Sequence, residues 1–263
     1  MRQRLTTLLN AVAVFGAMLF VWQLVLWIFR VPSYMLPSPW AVARAVAARF
    51  PSLAGAFAIT AEEAVGGLSA SIVVGVAIAL IFAQSRWIRR MLYPYTILLQ
   101  TVPIVAVAPL ILMWVGAGTG SVTLIAFIIS LAPIIANTTQ GLVSVEENLV
   151  HLFLMHNASA RQVLVSLRLP HAVPSLFVGI RIASGIAVIG AITGELYAGS
   201  SRVGEGGLGY SILYASSQLQ TDYLFALVLA ATVLGFSFFF LVSFLEWYFL
   251  HHWHESARTP EVE

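Results

Sequence analysis

Long apolar runs, broken by short polar and charged clusters, form the dominant pattern of this chain. A helix needs about 20 mainly apolar residues to cross a hydrocarbon core. Runs of that kind predict six spans, at roughly 8–29, 62–84, 93–115, 121–141, 174–198 and 223–250. The first follows Arg2 and Arg4, as in a signal peptide, yet it continues to Phe29 without a small-residue cleavage site. It reads as a retained span. Gly66, Gly67 and Gly75 in the second run, and Gly179, Gly185, Gly190 and Gly194 in the fifth, predict faces packed on other helices. Small residues let transmembrane helices approach closely. Pro94, Pro103 and Pro109 predict a kink in the third. Glu62 and Glu63 are adjacent, so they do not share a helical face, and they read as the charged start of the second span. The pattern therefore predicts an all-α membrane protein of about six transmembrane helices. It forms one domain over 1–263, with a core at 60–250.

Two connections are too long for simple turns. In 30–61, Ser38 reads as the cap of a helix with Pro39 at its first position. Ala41, Ala45 and Ala48 would face one way and Arg44 the other, as in an interfacial helix on the outer surface. The connection 142–173 reads as two short helices joined near Asn157 and stopped by Pro170 and Pro174 before the membrane. The first of them would present Leu149, Leu152, Phe153 and His156 at spacings of three and four, an apolar stripe with a polar end. Phe153 is its best anchor.

Composition supports the membrane reading. Hydrophobic residues make up 60% of the chain and charged residues 9%, with a mean hydropathy of +0.92. A soluble domain carries about a quarter of its residues as charges. A net charge of +2 is too slight to suggest nucleic acid as a partner. The absence of Cys excludes disulfides, thiol catalysis and Cys-based metal sites. All basic residues are Arg, and their distribution orients the chain. With the N-terminus inside, Arg2, Arg4, Arg86, Arg89, Arg90, Arg161, Arg168 and Arg258 are inner, while Arg30, Arg44, Arg49 and Arg202 are outer. That bias follows the positive-inside rule and puts both termini inside. Trp247, Tyr248 and Trp253 would mark the inner interface.

Candidate chemistry is sparse. No nucleophile–base arrangement or carboxylate cluster is visible, and the Gly-rich stretch 204–209 lacks the Lys-Ser/Thr of a phosphate-binding loop. Glu195 lies among apolar residues near the outer end of the fifth span, where a carboxylate is costly unless it faces a cavity, a partner or the surface. A role in a translocation path or gate and a structural hydrogen bond both fit. Asn137 and Gln100 divide evenly between such a path and packing between helices. Arg181 reads as a snorkelling or helix-packing residue, and His251, His252 and His254 as an interfacial tail. No metal site is expected.

Ordered markers give the chain a family resemblance. They are Leu36-Pro37-Ser38-Pro39, Val102-Pro103 with Ala108-Pro109-Leu110, Asn137-Thr138 with Gly141, Asn157-Ala158-Ser159, and Leu169-Pro170 with Pro174. Gly179-Ile180-Arg181-Ile182, Glu195, Gly207-Leu208-Gly209-Tyr210 and Thr221-Asp222 complete them. In order and spacing the chain resembles the permease subunits of bacterial ATP-binding-cassette importers. The branch resembled is the nitrate, sulfonate, taurine and bicarbonate type, which includes carriers of thiamine-precursor pyrimidines. The resemblance implies a multi-pass protein of the bacterial inner membrane in which two permease copies pair within the lipid bilayer. A cytoplasmic ATPase would hold ATP and Mg, leaving this chain without a cofactor, and an extracytoplasmic binding protein would deliver a small solute. The chain itself would not be an enzyme. The resemblance further implies that the 142–173 loop carries a coupling helix. The family pattern there, Glu-Ala-Ala and then Gly, aligns with His151, Leu152, Phe153 and Asn157, so this sequence departs at all four. Ala158, Ser159, Leu169 and Pro170 continue the coupling segment. Asn can replace Gly where the backbone turns left-handed. A secondary carrier or channel working without ATP remains the alternative reading.

Overall fold

The computed structural model describes residues 2–198 and 206–251, all of its regular structure helical. In chain order the helices are α1 (Arg2–Phe29), α2 (Pro39–Ala48), α3 (Phe50–Gln84), α4 (Arg86–Thr101), α5 (Ile104–Val115) and α6 (Thr119–Val143). There follow α7 (Glu147–Met155), α8 (Ala160–Val163), a π-helical turn (Leu164–Arg168), α9 (Leu169–Ala198), α10 (Leu208–Ser217) and α11 (Thr221–Leu250). Four continuous helical stretches are long and apolar enough to cross a membrane: Phe50–Gln84, Thr119–Val143, Ala160–Ala198 and Thr221–Leu250. Counting α4 and α5 together as one broken span makes five. The described apolar part of α1, Ala13–Phe29, is shorter.

At the centre, α6 packs between α3 and α9. Missing side chains allow this approach. A Cβ on Gly67 would lie 2.6 Å from the Ala126 Cβ, and one on Gly190 would lie 2.9 Å from the Ala126 Cα. Ala126 is thus held between the two neighbours and is fully buried. Gly185 departs from the expectation. It packs on nothing and opens onto an apolar cavity of 560 Å³ with Val188, Gly235 and Phe236. Branched carbon at position 190 has no room, whereas position 185 has. Gly190→Val is therefore expected to abolish accumulation of folded protein, and Gly185→Ala to leave it intact, as checked by fluorescence-detected size-exclusion of a tagged chain.

The third span is broken rather than kinked. α4 and α5 meet at 98° across Val102-Pro103. A residue before proline is driven out of the α region, and Val102 adopts φ −67, ψ 121. Pro94 and Pro109 remain inside their helices. The charged start of the second span is also corrected. α3 begins at Phe50, so Glu62 and Glu63 lie well inside it, and Glu63 is buried. At 35 residues α3 is longer than the roughly 20 a crossing needs, so it continues N-terminally through the apolar segment 50–61, beyond the run that span length predicts. The expected proline stop is overturned as well. Pro170 and Pro174 lie in α9, which continues from α8 through the π turn. There Leu169 N donates to Leu164 O, five residues back. Such a widened turn is one of the adjustments by which a transmembrane helix absorbs proline.

α2 forms as its cap predicts, with Ala41 N donating to Ser38 Oγ at 3.2 Å. Its buried face is Val42 and Ala45, with Ala48 exposed, because the helix packs on α11. Arg44 is exposed on the other side and lies over Trp40.

Candidate functional site: an exposed loop face and a buried carboxyl cluster

The loop between α6 and α9 has a rigid frame and an uncovered face. Leu169 packs against Ala79, Ala83, Leu142 and Ala172, which fastens the loop to the ends of α3 and α6. α7 buries none of its residues. The relative exposures of Leu149, Leu152, Leu154 and Met155 are 42%, 49%, 52% and 80%. Phe153 is half-buried, in a hollow of 370 Å³ shared with Leu152, His156, Asn157, Ala158, Gln162 and Ser166. The predicted stripe is therefore present but wider than its heptad-like spacing, extending to Leu154 and Met155. His151 is exposed beside it.

Asn157 ends α7 in the left-handed region, at φ 54. Asn157 N donates to Leu154 O at 2.9 Å, and Ala158 N donates to Phe153 O at 3.0 Å. That bond pair is the Schellman ending of a helix, in which glycine is the usual residue. Two residues later Ser159 starts α8 with a reciprocal capping box. Gln162 N donates to Ser159 Oγ at 3.3 Å, and Ser159 N donates to Gln162 Oε1 at 2.7 Å. Asn157-Ala158-Ser159 thus sets a fixed angle between two helices.

Glu195 is enclosed, at 3% exposure, near the opposite end of the bundle. Gly209 N donates to its Oε2 at 2.6 Å, and Thr60 Oγ1 lies 2.6 Å from its Oε1. Leu208 N donates to Thr60 Oγ1 at 2.8 Å. The first amides of a helix lack intrahelical partners. Here Thr60 of α3 and Glu195 of α9 supply them for α10. The glycines make this contact possible, since a Cβ on Gly209 would meet the Ile192 carbonyl and the Glu195 side chain. Glu63 is buried in contact with Glu195, and its Oε2 has no hydrogen-bond partner. Thr60 and Glu63 escaped the sequence reading. Thr60, Glu63, Gly67 and Ser71 fall on one helical face, and extending the small-residue periodicity toward the N-terminus would have found them.

The other candidates stand apart from this cluster. Asn137 Nδ2 donates to Pro133 O at 2.8 Å, and its Cβ lies against Gly179 in the α6–α9 contact. Gly179 and Glu195 are 16 residues apart on α9, about 24 Å at 1.5 Å per residue. Gln100 is exposed on α4 next to the break. Arg181 Nη1 donates to Glu246 Oε2 at 2.9 Å, so its role is the packing bond, between α9 and α11. His251 stacks on Trp247 at 5.1 Å. Arg202, the 204–205 part of the Gly-rich stretch, His252, Trp253, His254 and Arg258 lie outside the described residues.

Comparison with known proteins agrees with this architecture. Residues 71–248 match the family described as "Binding-protein-dependent transport system inner membrane component". A probable ABC transporter permease protein of Haemophilus influenzae is 32% identical over 90% of this chain and 95% of its own length. The formylaminopyrimidine transport permease protein of Halalkalibacterium halodurans is 33% identical over 68% of this chain and 70% of its own. Permeases named for aliphatic sulfonates, taurine and nitrate also match, the branch that the sequence resembles. Among solved structures, an inward-facing conformation of the MetNI methionine ABC transporter shares the fold. Its TM-score is 0.52 at 18% identity, covering 80% of this chain and 98% of that one. The matching family is a component of a transport system. The chain belongs to the family of binding-protein-dependent transport system inner membrane components. It is an ABC importer permease.

Proposed function

We propose that this permease pairs with a second copy in the bacterial inner membrane and conducts a small solute handed over by an extracytoplasmic binding protein. A separate cytoplasmic ATPase docks on α7 and hydrolyses the ATP. The observation that carries the reading is α7 itself, a helix with no buried residue and with Leu149, Leu152, Leu154 and Met155 exposed. An apolar helical face in water calls for a partner groove. The solute belongs to the range of its relatives, small organic or inorganic anions and pyrimidines. The Thr60–Glu195–Gly209 cluster serves as the outer latch. It ties α10 to α3 and α9, so opening that end of the pathway must work against these bonds. Asn137 and Gln100 are the remaining candidates for the path.

Copurification tests the ATP-driven reading. A tagged chain drawn from its native membrane is expected to bring an ATPase in equal amount, and uptake into vesicles is expected to need ATP. Uptake by the chain alone, without ATP, would establish the carrier reading instead. Orientation is tested by single cysteines, since the chain has none of its own. Thr119→Cys at the start of α6 is expected to react with an impermeant maleimide in intact cells. Ser166→Cys is expected to react only after lysis. The reverse pattern overturns the assignment of α7 to the cytoplasm.

A further inference from the structure

The largest cavity described, 710 Å³, lies at the coupling-loop end of the bundle, between the end of α3, the start of α4, the end of α6 and the π turn. Four arginines line it: Arg86, Arg89, Arg90 and Arg168. No carboxylate does. α4, α6, α8 and the π turn carry no Asp or Glu, and on α3 the nearest is Glu63. That residue is 20 positions from Ala83, about 30 Å along the helix. Among the described residues the one salt bridge is Arg181–Glu246, so Arg86, Arg89, Arg90 and Arg168 have no acidic partner. Arg168 Nη1 donates to Ala83 O at 3.0 Å, which holds that guanidinium in place. Thr139, 1% exposed, also lines the cavity, and its Oγ1 has no hydrogen-bond partner. Gln140 lines it beside Thr139 and is exposed.

Orienting a span in the membrane needs positive charge on one side only. It does not need guanidinium groups gathered around one concavity, where their mutual repulsion is unfavourable. That repulsion is relieved by one kind of ligand, an oxyanion with several acceptor oxygens. Guanidinium groups bind phosphate bidentately and with geometric specificity. We propose that this cavity is a binding site for a phosphate group, with arginine donors on its walls. An anionic phospholipid headgroup and free phosphate share that chemistry. Trp87, Met91 and Leu92, exposed on α4 beside the arginines, offer an apolar surface along which acyl chains of a lipid can lie. The proposal stands independently of the solute carried and of the ATPase.

The test uses the full chain purified in mild detergent. Native mass spectrometry reads retention of added phosphatidylglycerol against phosphatidylcholine, and thermal shift reads inorganic phosphate in the absence of lipid. The wild-type chain is expected to retain phosphatidylglycerol selectively. Arg86→Gln/Arg90→Gln is expected to retain it about tenfold less well, given the loss of two charge-assisted contacts. Arg44→Gln, on the distant α2, is expected to behave as wild type. Stabilisation by inorganic phosphate with no lipid selectivity, lost in the same double variant, assigns the site to free phosphate. Equal retention of both lipids with no phosphate effect overturns the proposal. So does selectivity unchanged in the double variant.

Discussion

Leu152→Ala/Phe153→Ala is expected to strip the ATPase from the purified complex while leaving the permease itself folded. The two side chains form the α7 wall of the hollow that Asn157, Ala158 and Gln162 complete. Neither is buried among the spans, so little of the bundle depends on them. Interface anchors of this type each cost at least about 2 kcal/mol when truncated, roughly thirtyfold in Kd. Two together are enough to empty a complex during detergent washing. Asn157 separates docking from transmission. Asn157→Gly accepts φ 54 without strain and is expected to keep both ATPase and transport. Asn157→Val places a β-branched side chain where a non-glycine residue already costs about 1–2 kcal/mol. It is expected to lose the Leu154 and Phe153 bonds that end α7 and, with them, the angle to α8. Copurified ATPase and transport-stimulated hydrolysis, measured on all three variants, decide the matter. A full complement of ATPase with normal turnover in Leu152→Ala/Phe153→Ala would show that docking occurs elsewhere.

Glu195→Ala is expected to be the most damaging single change at the opposite end. It leaves the Gly209 amide without its acceptor and removes the Glu195 oxygen beside Thr60 Oγ1, both enclosed. Each buried donor left without an acceptor costs about 1–3 kcal/mol. Loss of assembled protein is the expected result. Glu195→Gln asks a finer question. Its amide oxygen can still accept from Gly209 N or from Thr60, but no longer from both, so part of the latch survives. If the cluster gates the pathway, Glu195→Gln assembles normally and its uptake rate falls by about tenfold. Assembly falling in step with uptake would make Glu195 a structural residue only. Thr60→Val supplies a second check, because it removes the acceptor for Leu208 N and the hydroxyl that bonds Glu195 while keeping the carboxyl itself.

Much of this architecture was legible in the chain. Apolar runs of membrane length located the long helices, since hydrocarbon thickness sets a length that residue patterns must meet. Ser38-Pro39 announced the start of α2, and Asn157 announced a left-handed turn, because local backbone chemistry constrains both. Three features escaped for physical reasons. A proline is the same residue at 103, where the chain turns by 98°, and at 170, where a π turn lets the helix continue. The carbonyls around it choose between those outcomes, and their partners are set by neighbouring helices. Glu63 looked like a helix-end charge because a run of crossing length begins beside it, whereas α3 is longer than a crossing requires.

By itself the sequence determined the helical class, the long spans, the loop between α6 and α9 and the family, all of which follow from local composition or from ordered short motifs. The tertiary structure alone decided which polar groups meet. Thr60, Glu63, Glu195 and Gly209 come from three helices, and Arg86, Arg89, Arg90, Arg168 and Thr139 from three further segments. Helical periodicity states which way each residue points from its own axis. It does not state which axis lies opposite, and for both clusters that depends on the close approach of helices at Gly67, Gly141 and Gly190.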